Sequence, residues 1–185
     1  MTNENDLDLS PPPFLSKKMK LIDLLPEHNI WLSNPEEGTQ IDLNDINFSE
    51  ELVKNKTLQS SIFEKIVFEG LNFENCDLTG SSFFDCMFKN CEFKKSHLHK
   101  CEFHDCGFEN VNFEYAQLTK TEFNNCTLPF SKFTDCNLSW SFINNSDLRE
   151  TIFNGVSLEG AIIADCKLYN TNQNKINDGT EFPAK

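Results

Sequence analysis

The residues able to do chemistry gather in one stretch, CEFKKSHLHKCEFHDC, from Cys91 to Cys106. It sets His97, His99 and His104 among Cys91, Cys101 and Cys106. Imidazole and thiolate are the usual zinc ligands, and a thiol beside an imidazole is a nucleophile with its base. Either chemistry requires side chains that converge. The spacing decides whether they do, and the spacing is five. The three cysteines share one phase of a five-residue period, and the histidines occupy other phases.

That period organises most of the chain. From Ser61 to Asn170 the sequence divides without a break into blocks of five, from SIFEK and IVFEG to AIIAD and CKLYN. The third residue of every block is Phe, Leu or Ile, the first is nearly always small, and the rest are mostly polar. A fixed repeat fixes the architecture. A helix cannot keep this pattern on one face, because a step of five turns the apolar residue by about 140°. A flat strand fails too, since an odd period sends it to both sides of a sheet. A coil that turns one corner per block satisfies the pattern, with the middle residue always inward.

A second period gives the number of sides. Leu58, Leu78, Leu98, Leu118, Leu138 and Leu158 recur every twenty residues, as do Phe73, Phe93, Phe113, Phe133 and Phe153. Four blocks then make one turn, and like residues stack. In such a square coil the cysteines point inward and the three histidines outward. They diverge, so the stretch holds neither a metal site nor a nucleophile pair. The Gly155–Gly160 spacing is followed by Ala161 and Ile162 rather than Lys and Ser or Thr, so it is no phosphate loop. No catalytic, cofactor-binding or metal residues are expected, and the reading is against an enzyme.

The blocks resemble the pentapeptide repeat family, whose consensus is a small residue, a polar residue, Leu or Phe, then two polar residues. The resemblance implies an all-β fold, a right-handed quadrilateral β-helix with about 20 residues per coil. The preceding segment, LLPEHNIWLSNPEEGTQIDL, is similar to a leader found before the repeats in that family. Physically, an open coil end exposes apolar rungs and unpaired backbone, and something must cover them. A short N-terminal helical cap is expected, with Leu24, Leu25, Trp31 and Leu32 as the plug. It is read as a short helix ending near Leu25 and a second turn begun by Pro26. His28 within it is read as structural.

The domain reading follows. Residues 1–18 are an acidic, Pro-rich arm without apolar residues enough for a core. Residues 19–40 are the cap and its loop, 41–170 the β-helix, and 171–185 a polar tail. Glu51 and Lys56 stand where small residues belong, so an irregular bulge, a helical turn, is expected at about 49–57.

The formal net charge of −13 disfavours direct contact with nucleic acid or anionic membrane. No apolar window is long enough to span a bilayer. The first residues, MTNENDLDLS, lack a basic start and an apolar core, so a cytoplasmic protein is expected. Its eight cysteines, all first in their blocks, are then reduced fillers rather than disulfides.

Phe84, Tyr115, Phe130, Trp140, Phe142 and Tyr169 fall in outward phases and form the candidate interaction surface. Trp140 shares a column with Lys100 and Lys120, which suggests a cation–π contact. Two functions stay open. One is a non-catalytic scaffold that binds another protein. The other comes from the resemblance: some family members mimic DNA, bind a type II topoisomerase (DNA gyrase or topoisomerase IV) and protect it from quinolones or toxins. The repeat stretch carries 16 acidic against 9 basic residues. A duplex of the same length, roughly 26 Å, carries about 15 phosphates, about twice that net charge. The expected assembly is a monomer or an end-to-end dimer.

Overall fold

Each block of five closes one side of a square. The computed structural model describes residues 19–49 and 53–174. In it the chain coils with twenty residues per turn, and every paired segment is parallel to the one a full coil away. Asp77 pairs with His97 and His97 with Gln117, so Leu78, Leu98 and Leu118 lie in one buried column.

The first side is a seven-stranded parallel sheet with Leu43, Phe63, Phe83, Phe103, Phe123, Ile143 and Ile163 at its strand centres. The second carries four strands centred on Phe48, Phe68, Phe88 and Phe108, then continues as single bridges past Leu128, Leu148 and Leu168. The third does the reverse, with bridges first and then strands centred on Phe133, Phe153 and Gln173. The fourth, the Leu58–Leu158 column, is bridges throughout. The exchange between the second and third sides falls one coil after Phe108. On the second side it coincides with the change of inward residue from Phe108 to Leu128, whereas the third side keeps Phe113 and Phe133 across it.

The interior is a stack of rings. Phe83 lies 4.7 Å from Phe103, Phe93 lies 5.1 Å from Phe113, and Phe113 lies 4.6 Å from Phe133, each pair near-parallel. Rings of adjacent sides meet edge-on, as Phe83 and Phe88 do at 5.4 Å. Both arrangements suit the aromatic quadrupole. Each buried Phe contributes roughly 1.5–3 kcal/mol against exposure.

The first residue of a block does more than fill space. In most blocks with Cys, Ser or Thr there, the thiol or hydroxyl donates to the carbonyl of an inward residue 23 positions earlier. Cys76 donates to Val53 at 2.7 Å, Ser81 to Leu58 at 2.7 Å, Cys101 to Leu78 at 3.0 Å and Thr121 to Leu98 at 2.8 Å. That link between coils explains why Ser, Thr and Cys share this place with Ala and Val.

Helix α1, Leu21–Ser33, covers the N-terminal end of the coil. Leu21, Leu25 and His28 recur at i, i+4 and i+7 and are the buried face. The helix runs through Pro26, so the expected break there does not occur. Burial of Leu21 and Leu25 outweighs the interior proline, which costs about 3 kcal/mol. Leu24, Trp31 and Leu32, three of the four expected plug residues, lie half-buried at the margin of this face.

Within the stretch expected to bulge, about 49–57, the described residues from Val53 on already follow the regular coil. Val53 is fully buried and Asn55 has the same backbone turn as later blocks. Lys56 escapes burial by pointing into solvent. Residues 50–52 lie outside the described residues. So does the arm at 1–18. At the other end the coil continues past 170, with Asn172–Asn174 paired to Ile152–Asn154. The rest of the expected tail, 175–185, also lies outside the described residues.

Candidate interaction surface

The corners decide what the surface displays. Every described fifth residue from Asp45 to Asn170 has φ between +48° and +69°. This is the left-handed region, which Gly, Asn and Asp enter most readily and bulky residues rarely. The sequence carries the signal as Asn, Asp or Gly at most fifth places, such as Asn75, Gly80, Asp85 and Asn90. The polar corners also join coils: Asn110 Nδ2 donates to Asn90 Oδ1 at 3.0 Å, and Asn145 to Asn125 at 2.8 Å.

Lys, Ser and Glu stand at some corners, and three carry aromatic rings. Tyr115, Phe130 and Trp140 stand at φ +57°, +59° and +60°. Each is the third residue of a tight turn closed by a backbone bond, Ala116 to Phe113, Ser131 to Leu128 and Ser141 to Leu138. Positive φ at that position normally selects Gly or Asn. All three are exposed, Phe130 to 61% and Trp140 to 60%.

The six expected surface aromatics do not form one patch. Phe84 stacks on His104 on the first side, ring centroids 5.4 Å apart. Phe142 is half-buried on the same side, in register with Ile162. Tyr115 sits on a different corner, under Lys94, whose Nζ lies 5.9 Å from the ring centre. The cation–π contact expected at Trp140 is not there among the described residues. The Trp140 ring lies instead over Gly160, where an added Cβ would sit 2.6 Å from it. Phe130 and Tyr169 share a cleft, of about 540 Å³, with Pro129, Asp147, Arg149 and Glu150. Sequence reasoning found the two aromatics but not the charged residues between them, which belong to the intervening coil.

The histidine and cysteine cluster diverges. Cys91, Cys101 and Cys106 are buried, and burial pushes the Cys91 thiol up to about 12. His97 is exposed, His99 Nδ1 lies 2.7 Å from the Thr119 hydroxyl, and His104 stacks on Phe84. All eight thiols are free.

His28 carries the structural role that sequence reasoning gave no partner for. Its ring is buried, Nδ1 accepts the Ile41 N–H at 3.0 Å, and Nε2 lies 2.9 Å from the Gln59 carbonyl. It also stacks on Trp31 at 5.6 Å. The only neutral tautomer that serves both bonds carries its proton on Nε2.

A family model described as pentapeptide repeat region matches residues 56–133 and 81–163, together more than half of the chain. The chain belongs to the pentapeptide repeat family. The comparison with curated proteins finds no match. Among solved structures, this pentapeptide repeat chain is similar to full-length QnrB1, a plasmid-mediated fluoroquinolone resistance protein, at 16% identity over 71% of this chain and 87% of that one, TM-score 0.41. It is also similar to HetL of the cyanobacterium Nostoc, involved in heterocyst differentiation regulation, at 10% identity over 88% and 99%, TM-score 0.30. A third is Rfr23 of the cyanobacterium Cyanothece 51142, at 12% identity over 80% and 98%, TM-score 0.30.

The corners of the repeat scaffold display short polar ladders. Among the described residues no three His, Cys, Asp or Glu side chains converge as a metal site would require. No described helix is long and apolar enough to cross a membrane.

Proposed function

We propose that this pentapeptide repeat protein is a non-catalytic scaffold that binds another protein through aromatics at its corners. One observation carries the reading. Tyr115, Phe130 and Trp140 occupy left-handed corners, where the chain elsewhere uses Asn, Asp, Gly, Lys, Ser or Glu. Left-handed backbone costs a bulky residue about 1–2 kcal/mol. Such strain concentrates at functional sites. An exposed aromatic on a rigid frame contributes contact area at little entropic cost.

Charge favours the scaffold over the DNA mimic. A mimic needs a continuous acidic stripe. Here Lys54 pairs with Glu74 at 2.7 Å and Lys94 with Glu114 at 2.8 Å along one column, so its sign alternates coil by coil. Another column runs Asp45, Lys65, Asp85, Asp105, Asn125.

The test is affinity capture from the cells of origin with the wild type and with the Tyr115→Asn, Phe130→Asn, Trp140→Asn triple variant. A protein retained by the first and released by the second, with both folded by circular dichroism, supports the scaffold. Identical capture by both contradicts it. A supercoiling assay with DNA gyrase tests the mimic directly. Inhibition of gyrase, or its rescue from a quinolone, would replace the scaffold by the mimic.

A further inference from the structure

The cleft between Phe130 and Tyr169 is more specific than the surface around it. Thr127, Asp147 and Lys167 pair in register, so three successive blocks lie one above another here. Phe130 projects from the first of them and Tyr169, exposed to 68%, from the third. Their backbones are two coil spacings apart, roughly 10 Å. The middle block therefore forms the floor of a slot with a ring on either side.

The middle block supplies the charge. Arg149 also lines the slot, but its charge is already paired. Its guanidinium folds back along its own block to Asp147, with Nε 2.8 Å from Oδ1 and Nη2 2.5 Å from Oδ2. This pairing holds the Asp147 carboxyl below its ordinary range. Arginine and aspartate thus cancel. Glu150 remains. Its Oε1 accepts Asn170 Nδ2 at 2.9 Å, which fixes the carboxylate, and no Lys or Arg among the described residues pairs with it.

Two aromatic walls and one oriented carboxylate, on a chain of net charge −13, describe a receptor for a cation. Ring faces attract a positive group, most strongly when it is partly desolvated. A neutral apolar occupant would cover Glu150 without a partner for it, and an anion would be repelled. We propose that this cleft is a docking slot for a basic side chain, an arginine or lysine presented on an exposed segment of a partner protein. The proposal deepens the scaffold reading and rests on it, by naming the site and the partner's chemistry. Arginine fits best, since its flat guanidinium stacks on rings and pairs with a carboxylate at once. Pro129 and Phe130 support the slot's rigidity. Proline fixes the second residue of the turn, and Phe130 takes the strained third place.

The experiment is an NMR titration of the isotope-labelled full chain with three capped tripeptides, Gly-Arg-Gly, Gly-Glu-Gly and Gly-Phe-Gly. The arginine peptide is expected to shift amides of 127–130, 147–150 and 167–170 in a saturable way, with Kd on the order of millimolar for a single side chain. Glu150→Gln and Phe130→Asn are each expected to weaken it at least about fivefold, as loss of one cation contact would. Equal shifts from the glutamate or phenylalanine peptide, or no saturable shift from arginine, overturn the slot. The capture experiment above separates the two levels. If Glu150→Gln retains the partner that the triple corner variant releases, the slot fails and the scaffold stands. If the triple variant also retains it, the scaffold itself fails.

Discussion

His28 Nδ1 accepts the backbone N–H of Ile41 at 3.0 Å, and so ties helix α1 to the first residue of the first block. The bond requires an unprotonated Nδ1, and burial lowers the His28 pKa from its ordinary value of 6.5. The unfolded chain binds a proton near 6.5 that the folded chain refuses. Stability from this group is therefore whole above about 6.5 and declines as pH falls below it, toward the depressed folded value. Chemical denaturation between pH 8 and pH 5 is expected to show this decline, and His28→Gln to flatten it. An equal decline in the variant would show that other groups cause it.

Gly38 lies where α1 and its loop touch. An added Cβ would sit 2.4 Å from the Glu27 carbonyl oxygen and 2.6 Å from the Trp31 nitrogen, both backbone atoms, at φ +68°. Neither atom can yield without moving the helix. Gly38→Ala is expected to cost about 2 kcal/mol or more through strain and poorer packing of the cap. Hydrogen exchange at Ile41 should speed up with it. Unchanged exchange would mean that the cap does not depend on this approach.

Corner asparagines are conformational as well as polar. Asn110 combines φ +53° with a 3.0 Å bond to Asn90. Asn110→Val places a β-branched residue in the left-handed region and is expected to destabilise by about 1–2 kcal/mol. A change within about 0.5 kcal/mol, the usual size for an exposed site, would contradict the corner geometry.

The thiols test the packing. Burial raises Cys76 to about 11 and Cys136 to about 12, so few thiolates form at pH 8. Cys166 alone is half-buried, in the last full coil. A chromogenic disulfide reagent should titrate one thiol in the native protein and eight in denaturant. Several fast native thiols would mean that the coils open.

Much of this architecture was legible in the sequence, because Leu78, Leu98 and Leu118 repeat both the period of five and the period of twenty. The corner conformation was legible too, in Asn75, Gly80 and Asp85, though an inward–outward reading alone passes over it. The His28 bonds were not, since they join residues 13 and 31 apart in a cap that lies outside the repeat. Nor was the cleft. Arg149 and Glu150 look like scattered surface charges until the twenty-residue coil sets them between Phe130 and Tyr169.

The central claim is a division of labour within one block, in which the inward residue builds the rod and the corner aromatic faces a partner. Phe130 and Phe133 lie three residues apart around one turn, the first exposed and the second fully buried. The most direct measurement is urea unfolding of Phe133→Ala and Phe130→Asn beside the wild type. Phe133→Ala is expected to cost about 3–5 kcal/mol, as a deleted core ring does. Phe130→Asn is expected to stay within about 1 kcal/mol, because relief of the left-handed strain offsets the small apolar area that the exposed ring covers. A destabilisation at Phe130 as large as that at Phe133 would make the ring a structural shield and contradict the account.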